Sequence, residues 1–111
     1  MPPMRAGELD GRYIDFRQDL GTIEDQISSV NDVTIAIKRR DGFPMTVDDL
    51  ALAGTNGDME LDATNLILTF WLNAPSASGG SKYRLTVTID TTMQGRLRVR
   101  DVNMDVLSLM G

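Results

Sequence analysis

Apolar and polar side chains alternate along most of this chain with a period of two, the pattern of half-buried β-strands rather than of helices. The clearest run is KYRLTVTID. Tyr83, Leu85, Val87 and Ile89 fall on one side, and Arg84, Thr86, Thr88 and Asp90 on the other. Val33, Ile35 and Ile37 alternate with Thr34, Ala36 and Lys38 before RRDG turns the chain, and Met59, Leu61 and Ala63 alternate with Glu60, Asp62 and Thr64. NLILTFWLN is apolar on both faces, as expected for the best-buried strand of a sandwich. FPMTV reads as a short strand whose Pro44 places it at an edge or a bulge. TNGD, APSASGGS and TTMQG supply the turns. Only MTVDDLALAG also admits a helix, with an acidic first turn and Gly54 at the C-cap position. Seven or eight short strands, with turns roughly every 8 to 12 residues, predict an all-β sandwich or small barrel.

The pattern breaks once. In GRLRVRDVNMDV the residues Leu97 and Val99 are odd-numbered, whereas Val102, Met104 and Val106 are even-numbered. One extra residue in one strand of an antiparallel pair re-aims every side chain after it. The expectation is therefore a β-bulge at Arg100–Asp101, or a strand that switches sheets there. Either would bury all five apolar residues and leave Arg96, Arg98 and Arg100 as an outward row.

Length and composition narrow the rest. A chain of 111 residues is one domain, able to bury roughly 65% of its unfolded surface. It has no cysteine and no histidine, which removes disulfides, Cys/His zinc sites and histidine acid–base chemistry. The net charge is −5, a poor match to nucleic acid or to an anionic membrane. No apolar run reaches the roughly 18 residues of a membrane span. The opening MPPMRAGELDG lacks the apolar stretch of a signal peptide, so the expectation is a protein made and used without general secretion. Such a Pro- and Gly-containing segment keeps a fixed position only if it docks on its own domain or on a neighbour.

Candidate chemistry is thin. Alternate residues on a strand stand about 6.6–6.8 Å apart, so the arginine row could face adjacent phosphates. Three such contacts give a salt slope of only about −2.7, and no aromatic residues are interleaved for base stacking. A solvated face or a protein contact remains for that row. Asp58, Glu60 and Asp62 share one face of an extended segment, and Asp48–Asp49 lie apart. A straight row cannot wrap a hard cation, which takes six to eight oxygens, and a solvated face is the simpler reading. A Ser–His–Asp triad is impossible here, and no GxSxG, GxGxxG or phosphate-loop motif occurs. No catalytic, metal or cofactor site is expected. Trp71 closes one strong strand, and Tyr83 opens the next after GGSK. Immunoglobulin-like sandwiches place a tyrosine there, its hydroxyl bonded to upstream backbone; a plain core tyrosine fits equally.

Several short motifs, in order, extend this picture. Tyr13, Asp15–Phe16, Leu20 and the segment Glu24 to Ser29 come first. FWL, a Gly-containing loop and Gly80 to Tyr83 follow, and then Thr91–Thr92, Gly95–Arg96 and Arg100–Asp101. Their order and spacing over residues 12 to 106 resemble the phage fibre–tail adaptor proteins, small virion components of tailed phages. The resemblance implies an Ig-like antiparallel β-sandwich without enzymatic activity that bridges tail or connector to tail fibres. It further implies other virion proteins as partners, a homo-oligomeric ring, and residence in the virion tail after synthesis in the host cytoplasm. The expected organisation is an extended arm over residues 1–11 and an Ig-like domain over 12–111. Pro2, Pro3, Met4 and Arg5 are the candidate partner contacts, with Arg96, Arg98 and Arg100 as a charged rim. A capsid decoration or head-completion protein could use the same fold. An Ig-like module for host-surface sugar would instead display an exposed Trp or Tyr.

Overall fold

The computed structural model describes residues 1–20, 25–55, 57–93 and 97–108. Among them are eight strands: β1 (Met4–Arg5), β2 (Leu9–Asp15), β3 (Val33–Arg39), β4 (Ala51–Leu52), β5 (Glu60–Leu61), β6 (Ile67–Asn73), β7 (Lys82–Asp90) and β8 (Leu97–Leu107), with one α-helical turn, α1 (Arg17–Leu20), and two 3-10 turns, Val30–Asp32 and Ser76–Ser78. They form two sheets. One has the order β1-β8-β7-β3, and the other β2-β6-β4 with β5 also on β6. Every pairing is antiparallel except β1 with β8. The all-β sandwich with Ig-like order is thus the observed fold.

The alternation seen in the sequence builds the core. Tyr83, Leu85, Val87 and Ile89 of β7 face Leu68, Phe70 and Leu72 of β6, all with no exposed surface, and Ile14, Val33 and Met104 close the sides. Each such side chain contributes about 1.5–3 kcal/mol by leaving water. Asp62 sets the tight return from β5 to β6, its Oδ1 accepting the Leu66 and Ile67 amides at 3.0 Å each.

Three expectations are corrected. The first is the bulge. β7 and β8 pair residue for residue from Lys82–Asp105 to Asp90–Leu97 without an insertion. Leu97 and Val99 therefore point outward, 68% and 64% exposed, while Arg98 and Arg100 share the inward parity of Met104 and Val106. The apolar core ends before the strand does. Below Val102 the inner face meets α1 and Phe16, and the Arg100 guanidinium sits 5.6 Å over the Phe16 ring. It also donates to the Asp15 carbonyl at 2.8 Å and to Asp19 at 3.3 Å. A long stem with a charged tip can line such a rim and still reach water.

The second correction concerns the arm. Residues 4–11 belong to both sheets: β1 pairs with Val106 and Leu107, and β2 begins at Leu9. Only Met1 to Pro3 precede the fold. Third, FPMTV is no strand and MTVDDLALAG no helix; residues 40–50 form a loop that ends in the short strand β4.

The register of β8 makes a sharp prediction. Val99→Ser should change stability by under about 0.5 kcal/mol, whereas Met104→Ala should cost about 2–5 kcal/mol in urea denaturation. A large loss from Val99→Ser would restore the bulge.

Candidate interaction surfaces

The loop over residues 40–50 is tied down at both ends by carboxylates. At its start, Asp41 accepts the Phe43 amide at 3.0 Å and a forked pair from Arg39, whose Nη2 lies 2.5 Å from Oδ2. At its end, Asp49 is 3% exposed. Its oxygens accept the Tyr83 hydroxyl at 2.7 Å, the Thr46 amide at 2.8 Å, the Thr46 hydroxyl at 3.2 Å and Arg39 Nη1 at 3.4 Å. Arg39 thus joins the two anchors. Gly42 adopts φ +85°, which turns the chain outward.

Between the anchors the chain shows apolar side chains to solvent. Phe43 is 67%, Met45 38% and Val47 93% exposed, with Pro44 between the first two. Arg39 lies 5.7 Å over the Phe43 ring and holds it outside the core. Because β3 and β8 run parallel, this loop leaves the end of the sandwich near Leu107. Met93, Leu97 and Val99, also exposed, cluster at the opposite end.

A second surface lies on the outward face of the β2–β6 sheet. Trp71 is 43% and Tyr13 68% exposed. Trp71 stands opposite Gly11, and Tyr13 opposite Thr69. A Cβ at Gly11 would meet the indole at 3.3 Å, so the ring lies flat across the bare backbone there. The expectation of a fully buried β6 is corrected accordingly: only Leu68, Phe70 and Leu72 face the core.

The expected contact residues do not form one site. Pro2 and Pro3 are exposed, and their carbonyls accept Arg12 Nη1 and Nη2 at 2.9 and 3.1 Å. Met4 is completely buried in its own domain, which removes it as a partner contact. Arg5 is exposed, and its amide donates to Glu8 at 2.8 Å. Arg98 is half-buried and Arg100 is engaged within the chain, so they form no outward rim; Arg96 lies outside the described residues. Arg100 and Met4 are far apart: six residues of β8, about 20 Å at strand rise, separate Arg100 from Val106, the partner of Met4.

The carboxylate row also separates into local roles. Asp62 caps its turn and is held down at about 2 by the Thr64 hydroxyl and the backbone amides, while Asp58 accepts the Thr55 amide at 3.3 Å. Among the described residues no three metal-ligating groups converge. Tyr83 adopts the place expected at the start of its strand: its hydroxyl meets the upstream backbone at Leu50 and also donates to the Asp49 carboxylate at 2.7 Å. The loop escaped the sequence reading because Asp49, which anchors its end, is held by Tyr83, 34 residues further along the chain.

Compared with protein-family models, curated proteins and solved structures, the chain finds no match.

Two buried carboxylates give the fold a pH dependence. The Tyr83 hydroxyl, ahead of Thr46 and Arg39, holds Asp49 below the usual aspartate value against the opposing effect of burial. For Asp25, burial is the largest effect and raises the value. The Thr91 and Thr92 hydroxyls and the Gln26 and Met93 amides together outweigh it, and the net shift is downward. Both groups then stabilise the fold above the unfolded aspartate value, near 3.9, and that stability is lost as pH falls through their lower folded values. Urea midpoints should stay level from about pH 7 to 5 and drop below pH 4. Asp49→Asn should flatten that drop; an unchanged profile would contradict the assignment. Tyr83→Phe should cost about 1–3 kcal/mol at neutral pH, because it leaves a buried acceptor short of a donor.

Proposed function

We propose that this chain is a non-enzymatic virion adaptor of a tailed bacteriophage, joining tail or connector to tail fibres through protein–protein contacts. The observation that carries this reading is the loop over residues 40–50. Hydrophobic side chains in water cost stability unless they meet a partner, and here buried polar bonds fix three of them outside the core. Ordered apolar anchors of this kind lose little conformational freedom on binding. The second apolar cluster, at the opposite end of a molecule 45 Å long, suits a part that touches two neighbours. The sequence resemblance supplies the virion setting, and several copies would surround the tail axis.

A second reading has its own support. Trp71 lying flat over Gly11, with Tyr13 beside it, is a platform on which a sugar ring can stack. In this reading the chain is an Ig-like module for host-surface sugar.

The two readings separate by experiment. With Phe43, Met45 and Val47 all changed to Ser, the fold should keep its circular dichroism and melting temperature. Its affinity for the purified connector or fibre protein of the same virus should fall at least about tenfold, as expected on losing packed interface anchors. Full affinity in that variant would contradict the adaptor reading. Trp71 is the sole tryptophan, so oligosaccharide binding should change its fluorescence, and Trp71→Ala should abolish binding. No response to host-surface sugars would remove the second reading.

A further inference from the structure

β2 is bonded along one flank only. The Ala74 amide donates to the Glu8 carbonyl at 2.9 Å, and the Phe16 amide to the Leu66 carbonyl at 2.8 Å. The even-numbered residues of this stretch therefore turn their backbone groups toward β6. Across the ladder, the Trp71 amide donates to Gly57 and its carbonyl accepts from Ala53, so it exchanges nothing with its partner Gly11. Gly11 and Tyr13 aim their amides and carbonyls at the other flank. Asp15 does the same with its carbonyl, which accepts Arg100 Nη1 at 2.8 Å. No strand pairs with β2 on that flank among the described residues. Immunoglobulin-type sandwiches order this sheet A-B-E-D. Here β2, β6 and β4 fill the B, E and D places, and the A place is open.

The open place is a groove of about 370 Å³ between β2 and β8. Ile14 and Val102 give it an apolar floor, and Arg100 closes it beside Asp15. Met1 and Pro2 line its other end, tied to β2 through the Arg12 guanidinium and by no backbone bond. The Arg12 side chain, 12% exposed, also lines the groove. Its Nη1 and Nη2 are taken by the Pro2 and Pro3 carbonyls, but its Nε is buried with no acceptor among the described residues. A buried donor left in that state costs stability until an acceptor arrives.

We propose that this groove takes an extended segment of a different protein as the missing strand, antiparallel to β2. Main-chain bonds to Tyr13 and Gly11 give the affinity, and side chains at alternate positions give the specificity. The residue opposite Ile14 faces the floor and is apolar. Two positions later, opposite Arg12, a Ser, Thr, Asn or Asp side chain accepts from Nε. The exposed loop of a second copy does not fit this pattern. Phe43 and Met45 are followed two residues on by Met45 and Val47, and Val47 by the buried Asp49. The groove shares no lining residue with that loop, so the site is independent of the adaptor reading.

The test is amide hydrogen exchange by NMR on the full chain, alone and with capped peptides of about seven residues. One pool carries Val, Ile or Leu at its third position and Ser, Thr, Asn or Asp at its fifth; a control pool has Lys at both. Alone, the Gly11 and Tyr13 amides should exchange at least about a hundredfold faster than those of Arg12 and Ile14. The first pool, at about millimolar, should slow Gly11 and Tyr13 at least about tenfold, and the control pool should leave them unchanged. Tyr13→Pro removes an amide from the free flank alone. It should weaken binding of the pool's tightest peptide at least about tenfold, while Tyr13→Ala, which keeps the amide, should stay within about threefold. If Tyr13→Pro fails to fold by circular dichroism, the wild-type exchange pattern decides. Equal exchange of the four amides in the free chain, no protection by the first pool, or equal losses in the two variants would overturn the proposal. Protection that appears in the protein alone and grows with its concentration would give the groove to a second copy and overturn it too. A chain that takes no peptide yet binds connector or fibre through its loop would sink this proposal and leave the adaptor reading standing.

Discussion

A carboxylate taken out of water must be bonded on all sides or lose its charge. Asp49 meets that demand with donors from three places: Tyr83 in the core of β7, Thr46 in its own loop and Arg39 at the end of β3. The same arginine then grips Asp41 and covers Phe43. One buried charge therefore fixes the path of a loop with no strand or helix of its own. The apolar residues on that loop are held in water by polar bonds made underneath them. The exposed apolar surface of the loop depends on this constraint, and the two sheets serve as its foundation.

The other end of the sandwich follows a different logic. There β8 outruns the core, and its inward positions are taken by Arg98 and Arg100; the Arg100 guanidinium lies over Phe16 and bonds to the β2–α1 corner. The outward positions hold Leu97 and Val99, reversing the usual distribution. The domain thus carries apolar surface at both ends, with an open strand edge beside one of them.

Where a strand faces a full core, its role was legible from alternation alone. β7 reads correctly residue by residue, as does β3, and Tyr83 sits where an Ig-like strand places a tyrosine. The misreading of β8 has a definite cause: parity reports burial only while the opposite face is covered by apolar partners. At Arg98 and Arg100 that cover is a helical turn and one ring, and the sequence shows neither as a neighbour. FPMTV imitates a strand because Phe43, Met45 and Val47 alternate, although no partner strand exists. Met4 reads as part of a loose arm because its partner, Val106, is 102 positions away. Trp71 looked buried in a run apolar on both faces; Gly11, across the sheet, is what lets its ring lie flat on the surface. Long-range pairing, rather than local pattern, decided each of these.

The central claim is that the chain is a structural part whose loop meets a different protein. Electron cryomicroscopy of the purified virus particle tests it most directly. The account predicts this chain beside the connector or tail, with Phe43, Met45 and Val47 packed into a non-identical neighbour. Particles that lack the chain, or that carry it with this loop facing solvent, would contradict it.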